Sequence, residues 1–371
     1  MQLVSLVSYS VQAVICTTVL LIFCMRRKSL DLYILGVTCV WLIAVIAIYA
    51  RFGTDQINLY SNDQAAHLSL INDYISVRGI SLKFDEIVNW RYFIVLPAYF
   101  SSKIGFDPVL ILKFSQLVYL VLIYKLGVRF IARNHIRVRV WHTALFCGPI
   151  LIFMSTLALR DLAIGFFSTV FLLEKNRFGR MIALLITLLL RPHLAVALLF
   201  GWIVSLIIKR YSRHLFIPII SAFAIVSYVL GSYSYYIGQS IRTSAPLTGA
   251  KEVFNQSKFT RLGANFLGLQ FLTLGEDVVS ASHSTLFLSR IIFFDTFTTP
   301  LLFIVLLFAF SANWTQMRTT VFYSFLFFYG LISQTDWNSS RQNIPFFVSM
   351  GLLAVVGIET RRQAKTTGFV S

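Results

Sequence analysis

Residues 2–25 read QLVSLVSYSVQAVICTTVLLIFCM and are followed directly by Arg26, Arg27 and Lys28. The run carries no charged residue. At about 1.5 Å of helical rise per residue, it is long enough to cross a hydrocarbon core of about 30 Å. No basic segment precedes it and no small-residue cleavage site follows it. We therefore expect it to remain as a membrane span with its N-terminus outside.

The composition of the whole chain is that of a membrane protein. Of its 371 residues, 57% are hydrophobic and 13% are charged, and the mean hydropathy is +0.76. Apolar runs recur along the entire length, which does not describe a soluble surface. The net charge of +17 could indicate nucleic-acid binding, but the basic residues form short clusters between apolar runs. We expect a single all-α, polytopic transmembrane domain over residues 1–371, without a nucleic-acid partner.

The basic clusters predict the topology, because loops rich in Lys and Arg stay in the cytoplasm. The segments assigned to the cytoplasm carry a net charge of about +14, and the C-terminus lies among them. Two long outer loops, 51–108 and 234–290, then separate spans, so function should face outward. The eleven predicted transmembrane spans are 2–25, 31–50, 109–128, 140–159, 162–173, 181–190, 194–208, 215–233, 291–312, 319–333 and 344–358.

A competing topology joins some of these segments. It fuses 181–208 into one helix kinked at Pro192, and it requires Val140 to Leu173 to form one span of about 50 Å. Both topologies leave Arg160 and Arg191 inside the membrane.

The first outer loop contains a predicted surface helix. Ser61 and Gln64 form a capping box for a helix running to about Arg78, with an apolar face and a polar face that carries Asp63 and His67. Such a helix is expected to lie on the outer membrane surface. The later stretch 92–104 is broken by Pro97 and is too short to span, which indicates a re-entrant or interfacial segment.

Three arginines are predicted to lie at or below the outer surface. Arg160 and Arg191 each terminate a short span, where an unpaired guanidinium is costly and usually marks a water-filled cavity or a bound anion. Arg341 closes the last outer turn, so the three could converge. Guanidinium groups bind phosphate oxygens bidentately, which favours an anionic lipid headgroup as the ligand. The alternative is structural, with Arg160 pairing with Asp161 to stabilise the bundle.

Several titratable side chains on the same side could accept a proton. Asp63 and His67 are four residues apart, so on a helix the carboxylate could orient the imidazole, although a solvated polar face is the alternative. His193 lies next to the Arg191-Pro192 pair, at a depth that does not favour simple solvent exposure. The candidates for the base are His193, Asp55, His67 and Asp336.

The four cysteines fall within apolar runs without a paired-ligand spacing, which argues against structural zinc.

Four short motifs lie on the outer side of this predicted topology. They are Arg51-Phe52-Gly53-Thr54-Asp55 with Tyr60, Ser155 followed by Arg160-Asp161-Leu162-Ala163, His193 with Ala195, and Ser340-Arg341. In these motifs and in its topology the chain resembles the membrane polymerases of bacterial surface polysaccharides, the O-antigen and exopolysaccharide repeat-unit polymerases. Members often have a glutamine after the central arginine, where this chain has Asp161.

The resemblance implies a glycosyltransferase of the multi-spanning, lipid-donor class in the bacterial inner membrane. Its donor would be a growing glycan on undecaprenyl diphosphate, attacked at the anomeric carbon by a hydroxyl of a second lipid-linked repeat unit. This chemistry needs cations for the departing diphosphate and a base for the hydroxyl, with no obligatory metal or cofactor. A chain-length regulator and a flippase would be partners. The predicted diphosphate-binding residues are Arg51, Arg160, Arg191 and Arg341.

Two other functions are compatible with the same residues. A glycosyltransferase that uses a polyprenyl-monophosphate sugar would also suit an acidic outer loop followed by an interfacial helix. A transporter of lipid-linked oligosaccharide could use intramembrane arginines as well, but it would be expected to show internal duplication and polar residues in both leaflets.

The topology predicts that both long loops react with an impermeant reagent. Single cysteines at Ser69 and Ser257, in a background lacking the four native cysteines, should be labelled on intact cells by a membrane-impermeant thiol reagent. Protection of both positions until the membrane is opened would invert the topology and move the proposed site to the cytoplasm.

Overall fold

The computed structural model describes residues 2–25, 31–53, 62–73, 90–174, 176–211, 316–332 and 340–366. All regular structure in these ranges is helical. The twelve described helices are α1 (Gln2–Cys24), α2 (Leu32–Phe52), α3 (Asn62–Asp73), α4 (Trp90–Lys103), α5 (Pro108–Arg133), α6 (Val140–Phe146), α7 (Pro149–Ser155), α8 (Asp161–Leu173), α9 (Arg177–Leu190), α10 (Pro192–Tyr211), α11 (Gln316–Ile332) and α12 (Ser340–Thr366).

Four of the described helices are long and apolar enough to cross a membrane. They are Val4–Cys24, Leu32–Phe52, Pro108–Arg133 and Ile344–Gln363. Large apolar side chains of α1 remain exposed, among them Val4 and Phe23, which suits a helix surrounded by lipid. The prediction of an all-helical membrane protein is therefore confirmed. The total of eleven spans stays a prediction, because the predicted spans 215–233 and 291–312 lie outside the described residues.

The chain forms two compact units. Unit 1 comprises Met1–Ala132 and Val138–Phe166, and unit 2 comprises Arg133–Arg137 and Phe167–Ser371. Among the described helices, α1 to α7 belong to unit 1 apart from the last residue of α5, and α9 to α12 belong to unit 2.

The predicted span 140–159 is wrong as a continuous helix. The structure divides it into α6 and α7, with Cys147 capping the first and Gly148 preceding the second. Pro149 is the first residue of α7 and explains the break, because proline lacks the amide that would continue the helix and its ring clashes with the preceding turn. A hydropathy profile does not reveal such a break, because the residues on both sides of Pro149 are equally apolar.

The competing topology is also not what the structure shows. Val140 to Leu173 contains three helices, and α9 ends at Leu190 before α10 begins at Pro192. Arg191 between them is extended, with φ −155° and ψ 87°. A residue that precedes proline disfavours the helical region, which explains why the break falls at Arg191.

Segment 51–108 differs from its prediction at Pro97. The structure describes α3 from Asn62 to Asp73, within the predicted helix, and the rest of that helix lies outside the described residues. Helix α4 continues through Pro97, so the predicted break at this proline is wrong. At 14 residues, α4 is about 21 Å long and remains too short to span. The side chain of Ile71 is fully buried, and α3 packs against α4.

The N-terminus of α2 and the second half of α5 are joined by a tyrosine pair in unit 1. The Asp31 carboxylate caps α2 by accepting from the Tyr33 amide at 2.9 Å, and it accepts from the Tyr124 hydroxyl at 2.7 Å. The two tyrosine rings stack with centroids 4.3 Å apart, and the Tyr33 hydroxyl donates to the Cys147 carbonyl. We call this end of unit 1 the basic end, because Arg129 of α5 lies beyond it.

Small residues bring α10 and α11 into close contact in unit 2. Gly201 faces Ser324, and the Thr320 hydroxyl donates to the Ser205 hydroxyl at 2.8 Å. The Phe200 and Phe327 rings stack beside them. Both helices thus place small side chains four residues apart on the shared face, an arrangement that permits close approach and interhelical hydrogen bonds in membranes.

We expect Gly201→Ala to destabilise the protein. The added Cβ would meet the Ser324 hydroxyl and lie 2.7 Å from the Thr320 carbonyl oxygen, and overpacking of this kind costs about 1–3 kcal/mol. Gly36→Ala is the matched control, because nothing lies within 4 Å of a Cβ at that helical position. Thermal unfolding in detergent should show a lower midpoint for the first variant and an equal or higher one for the second. Equal midpoints would contradict the packing.

Candidate functional site

A non-helical segment lies buried inside unit 1. Residues 156–160 connect α7 to α8, and Thr156, Leu157, Ala158 and Leu159 are each at most 4% exposed. Backbone outside a helix is tolerated at membrane depth only where the protein itself supplies hydrogen-bond partners or a water-filled cavity. We call residues 156–160 the buried break.

Three side chains from three different helices satisfy the backbone around the buried break. Trp41 of α2 donates from Nε1 to the Ser155 carbonyl at 2.7 Å. His67 of α3 places Nδ1 3.2 Å from the Ala158 carbonyl oxygen. Gln116 of α5 accepts from the amide of Leu162 at 3.1 Å, in the first turn of α8. The break is therefore a shared structural element of α2, α3 and α5.

Two helices give the depth of this segment independently. Trp41 is ten residues beyond Asp31 on α2, and Gln116 is eight residues from Tyr124 on α5. These separations correspond to about 15 Å and about 12 Å along the helix axes. In the predicted topology, Asp31 lies at the cytoplasmic interface, and both values then correspond to a level near the midplane of a hydrocarbon core of about 30 Å.

The contacts between α5 and α8 also define their register. Gln116 contacts Leu162, and the Tyr119 ring lies 6.0 Å from the Phe166 ring. The two helices thus run in the same direction, with one turn of α5 matched to one turn of α8. Lys113 is one turn farther from the basic end on the same face of α5 as Gln116, which puts it at the level of Arg160.

Lys113 is a buried lysine that is not among the predicted site residues. Its residue is 1% exposed, although a lysine inside a membrane span is expensive and usually functional. The sequence does contain a pattern that indicates it, because Lys113 and Gln116 are polar residues three apart in an apolar run. Asp107, at the start of α5, interacts electrostatically with Lys113.

The Asp107 carboxyl caps α5 and belongs to the same end of unit 1. It accepts from the Leu110 amide at 2.9 Å, and the Asp107 amide donates to Gln12 of α1. Burial raises the pKa of this carboxyl, while the Leu110 and Val109 amides and the Lys113 charge act in the opposite direction.

Arg160 and Asp161 lie at the end of the buried break. Asp161 is 1% exposed, Arg160 is half-buried, and the Nη1 atom of Arg160 is fully enclosed. The Arg160 carbonyl accepts from the Ile164 amide, so its backbone already belongs to the first turn of α8. Cationic groups enclosed in this way can bind an anion with little competition from water.

His67 is not part of a solvated polar face, and that alternative is wrong. The histidine is 2% exposed and contacts the backbone of a segment 91 residues away. The predicted partner side chain, Asp63, lies outside the described side chains. Since the Ala158 carbonyl can only accept, it orients the ring by fixing a proton on Nδ1.

Unit 2 contains the second break, at Arg191. The Arg191 amide donates to the Thr187 carbonyl at 2.7 Å, and its own carbonyl accepts from the amides of Leu194 and Ala195. The residue is 5% exposed and its Nη1 atom is enclosed. The backbone of the flanking helices thus satisfies this break.

His193 and the start of α12 lie at one end of unit 2. His193 lies on the surface of unit 2, and its ring stacks on Phe328 at 5.7 Å. Phe328 in turn contacts Phe346 at 5.4 Å. Arg341 is five residues before Phe346 in α12, about 7.5 Å along the axis. Unit 2 therefore brings the Arg191–His193 segment towards the backbone of Arg341.

The remaining predicted site residues lie apart from these clusters or outside the residues that the structure describes. Arg51 is exposed in the last turn of α2. Asp55 and Asp336 lie outside the described residues. Arg160 belongs to unit 1, whereas Arg191 and Arg341 belong to unit 2, so convergence of all three arginines stays a prediction.

Comparisons with protein-family models, curated proteins and solved structures found no match for this chain. Within the described part of the chain, no three His, Cys, Asp or Glu side chains form a group that could hold a metal ion. The candidate site consists of the two breaks and the arginines they hold.

We expect Gln116→Met to destabilise unit 1. The variant removes the acceptor for the Leu162 amide near the midplane, and a buried donor left unsatisfied costs about 1–3 kcal/mol. Ser10→Ala is the control, because the Ser10 hydroxyl donates within its own helix, to the Leu6 carbonyl. The thermal midpoint in detergent should fall for Gln116→Met and stay near wild type for Ser10→Ala. Equal stability of the two variants would mean that Gln116 does not support the break.

Proposed function

We propose that this protein joins lipid-linked oligosaccharide repeat units into a bacterial surface polysaccharide on the outer face of the inner membrane. The donor is a glycan on undecaprenyl diphosphate, and the acceptor is a second lipid-linked unit. The observation that carries this proposal is the buried break of unit 1, where Arg160 and Lys113 stand at one level in the half of the unit away from the basic end.

Cations in this position suit a diphosphate leaving group. Negative charge develops on the departing diphosphate as the glycosidic bond breaks, and preorganised donors in a site without bulk water stabilise such charge most effectively. A guanidinium can hold two phosphate oxygens at once, whereas an ammonium acts as a point charge. Arg160 would thus fix the orientation of the diphosphate, and Lys113 would add charge.

The arginines of unit 2 extend the same proposal. Arg191 is buried at a helix break, and Arg341 begins the helix that packs near His193 through Phe328 and Phe346. These groups would bind the diphosphate of the donor or of the second substrate, with Arg51 at the membrane surface. His67, His193, Asp55 and Asp336 are the candidates for the base.

A transporter of lipid-linked oligosaccharide is the second candidate. Helices broken near the midplane, as at residues 156–160 and at Arg191, are also typical of transporters. A glycosyltransferase with a polyprenyl-monophosphate donor shares the outer-loop features. These functions differ in the glycan that a deletion strain makes.

The deletion phenotype separates the three functions. Loss of a polymerase should remove long polymer while one repeat unit is still transferred to its final acceptor. Loss of a transporter should remove both and leave lipid-linked units inside the cell. A monophosphate-dependent enzyme should leave a full-length polymer that lacks one sugar.

Arg160→Lys and Arg191→Lys should each reduce polymer formed per mole of folded protein by about tenfold or more. Lysine keeps the charge and loses the bidentate geometry, and a tenfold loss corresponds to about 1.4 kcal/mol. Arg177→Lys is the control, since Arg177 is exposed at the start of α9. The measurement is polymer length and amount in the complemented deletion strain, normalised to folded protein. Wild-type activity per mole in both variants would reject the arginines as the anion site.

A further inference from the structure

We propose that the basic end of unit 1 binds an anionic phospholipid of the surrounding membrane, with the lipid phosphate held by Lys125 and Arg129. The inference is separate from the proposed polymerase function and goes beyond it. Its observation is a stripe on α5 in which an exposed apolar side chain, Leu122, is followed by these two exposed cations.

The first step of the argument is the arrangement of the stripe. Leu122, Lys125 and Arg129 are spaced by three and four positions, so they share one face of α5. Leu122 is 36% exposed, and the two cations are exposed as well. The outer face of α5 is thus apolar on one side of Lys125 and cationic from Lys125 onward, as is the boundary between acyl chains and phosphates that it would meet.

The second step is the level of the two cations. Tyr124 contacts Asp31 at the start of α2, and Lys125 and Arg129 are one and five residues beyond Tyr124, or about 1.5 Å and about 7.5 Å along the axis. A bilayer of about 40–45 Å contains a hydrocarbon core of about 30 Å, which leaves about 5–8 Å for each headgroup layer. With Asp31 at the edge of the core, as the topology predicts, both cations lie at the level of the lipid phosphates.

The third step is the contribution of α1. The Lys125 ammonium donates to Cys24 Sγ at 3.4 Å, which places the last turn of α1 beside this cation. Phe23 and Met25 flank Cys24 and are 82% and 51% exposed. A phospholipid held at Lys125 would therefore have apolar side chains of two helices beside its acyl chains. We call the surface formed by Phe23, Met25, Leu122, Lys125 and Arg129 the α1–α5 face.

The charge of the α1–α5 face favours an anionic lipid. The Asp31 carboxylate at this end accepts from the Tyr33 amide and the Tyr124 hydroxyl. Within the part of the chain that the structure describes, neither Lys125 nor Arg129 forms a salt bridge. Two such cations attract a lipid of net negative charge, such as phosphatidylglycerol, whereas the ammonium group of phosphatidylcholine cancels the charge of its phosphate.

The apolar part of the α1–α5 face favours a lipid over free phosphate. Exposed cations bind small anions weakly, because water and salt screen the charges. A phospholipid is confined to the layer in which these cations lie, so its effective concentration there is high. Its acyl chains can also pack against Leu122 and Phe23, and van der Waals packing is the contribution that remains when both surfaces are already in lipid.

Native mass spectrometry of the purified full-length protein tests the binding directly. We expect phosphatidylglycerol to remain bound at concentrations at which phosphatidylcholine does not. Lys125→Gln and Arg129→Gln should each weaken phosphatidylglycerol binding by about fivefold, the effect of one cation near a membrane surface, and the double variant by about tenfold or more. Both positions are exposed, so the amount of folded protein should stay near wild type.

Arg137→Gln is the matched control for Arg129→Gln. Arg137 is also an exposed arginine, but its neighbour Ile136 is buried and its neighbour Val138 is half-buried. Exposed apolar side chains therefore do not adjoin it in the sequence, and phosphatidylglycerol binding to this variant should stay near wild type. An equal loss in Arg137→Gln would mean that general surface charge attracts the lipid, and the α1–α5 face would be rejected as a site.

The other outcomes also decide the question. Equal binding of phosphatidylcholine, or unchanged phosphatidylglycerol binding to the double variant, overturns the proposal. Displacement of the lipid by an equal concentration of inorganic phosphate would indicate a free-anion site and overturn the lipid assignment. If the double variant does not accumulate, wild-type protein can be crosslinked to a photoactivatable phosphatidylglycerol. Labelled peptides should then include residues 19–25 or 118–129, and crosslinks confined to other segments reject the site.

These measurements are independent of polymer formation. A failure to bind phosphatidylglycerol would leave the proposed polymerase function unaffected, because the α1–α5 face includes none of the residues assigned to the diphosphate or to the base. A deletion strain with normal polymer would overturn the polymerase and leave the lipid site standing.

Discussion

Backbone amides and carbonyls inside a membrane must find hydrogen-bond partners within the protein, because lipid supplies none. Residues 156–160 leave the helical path inside unit 1, so this constraint falls on the side chains around them. Trp41, His67 and Gln116 meet it from three separate helices. Displacing any one of these helices would leave a buried polar group unsatisfied, which costs about 1–3 kcal/mol in proteins. The arrangement of α2, α3 and α5 is therefore tied to one short segment.

The two breaks meet the same constraint in different ways, with different consequences for chemistry. At Arg191, the carbonyl of Thr187 and the amides of Leu194 and Ala195 satisfy the backbone locally. At residues 156–160, the partners are side chains with chemistry of their own. Holding that segment brings an imidazole, a carboxamide and an indole close to Arg160, with Lys113 at the same level. The break in unit 1 is thus held by side chains from other helices, whereas the break in unit 2 is held by the backbone of its own flanking helices.

Sequence patterns predicted the parts of this fold that depend on local composition. The uninterrupted apolar run 2–25 corresponds to α1 (Gln2–Cys24), and the run 31–50 corresponds to α2 (Leu32–Phe52). The break at Pro149 was missed because hydropathy averages over it. His67 was assigned to a surface helix because its partner lies 91 residues away, and no local pattern encodes such a pair. Lys113 was visible as a charge in a span, but its level relative to Arg160 required the contacts between α5 and α8.

The order of the chain has a consequence for biogenesis. Trp41, His67 and Gln116 all precede the segment they hold, and Gln116 comes 46 residues before Leu162. At synthesis rates of about 5–20 residues per second, the helices carrying these side chains are made several seconds before α8 emerges. Residues 156–160 can then pack against these side chains as they enter the membrane. Their carbonyl groups need not be exposed to lipid without hydrogen-bond partners. A chain rearranged so that α8 came first would lose this protection, although every residue and every final contact were the same.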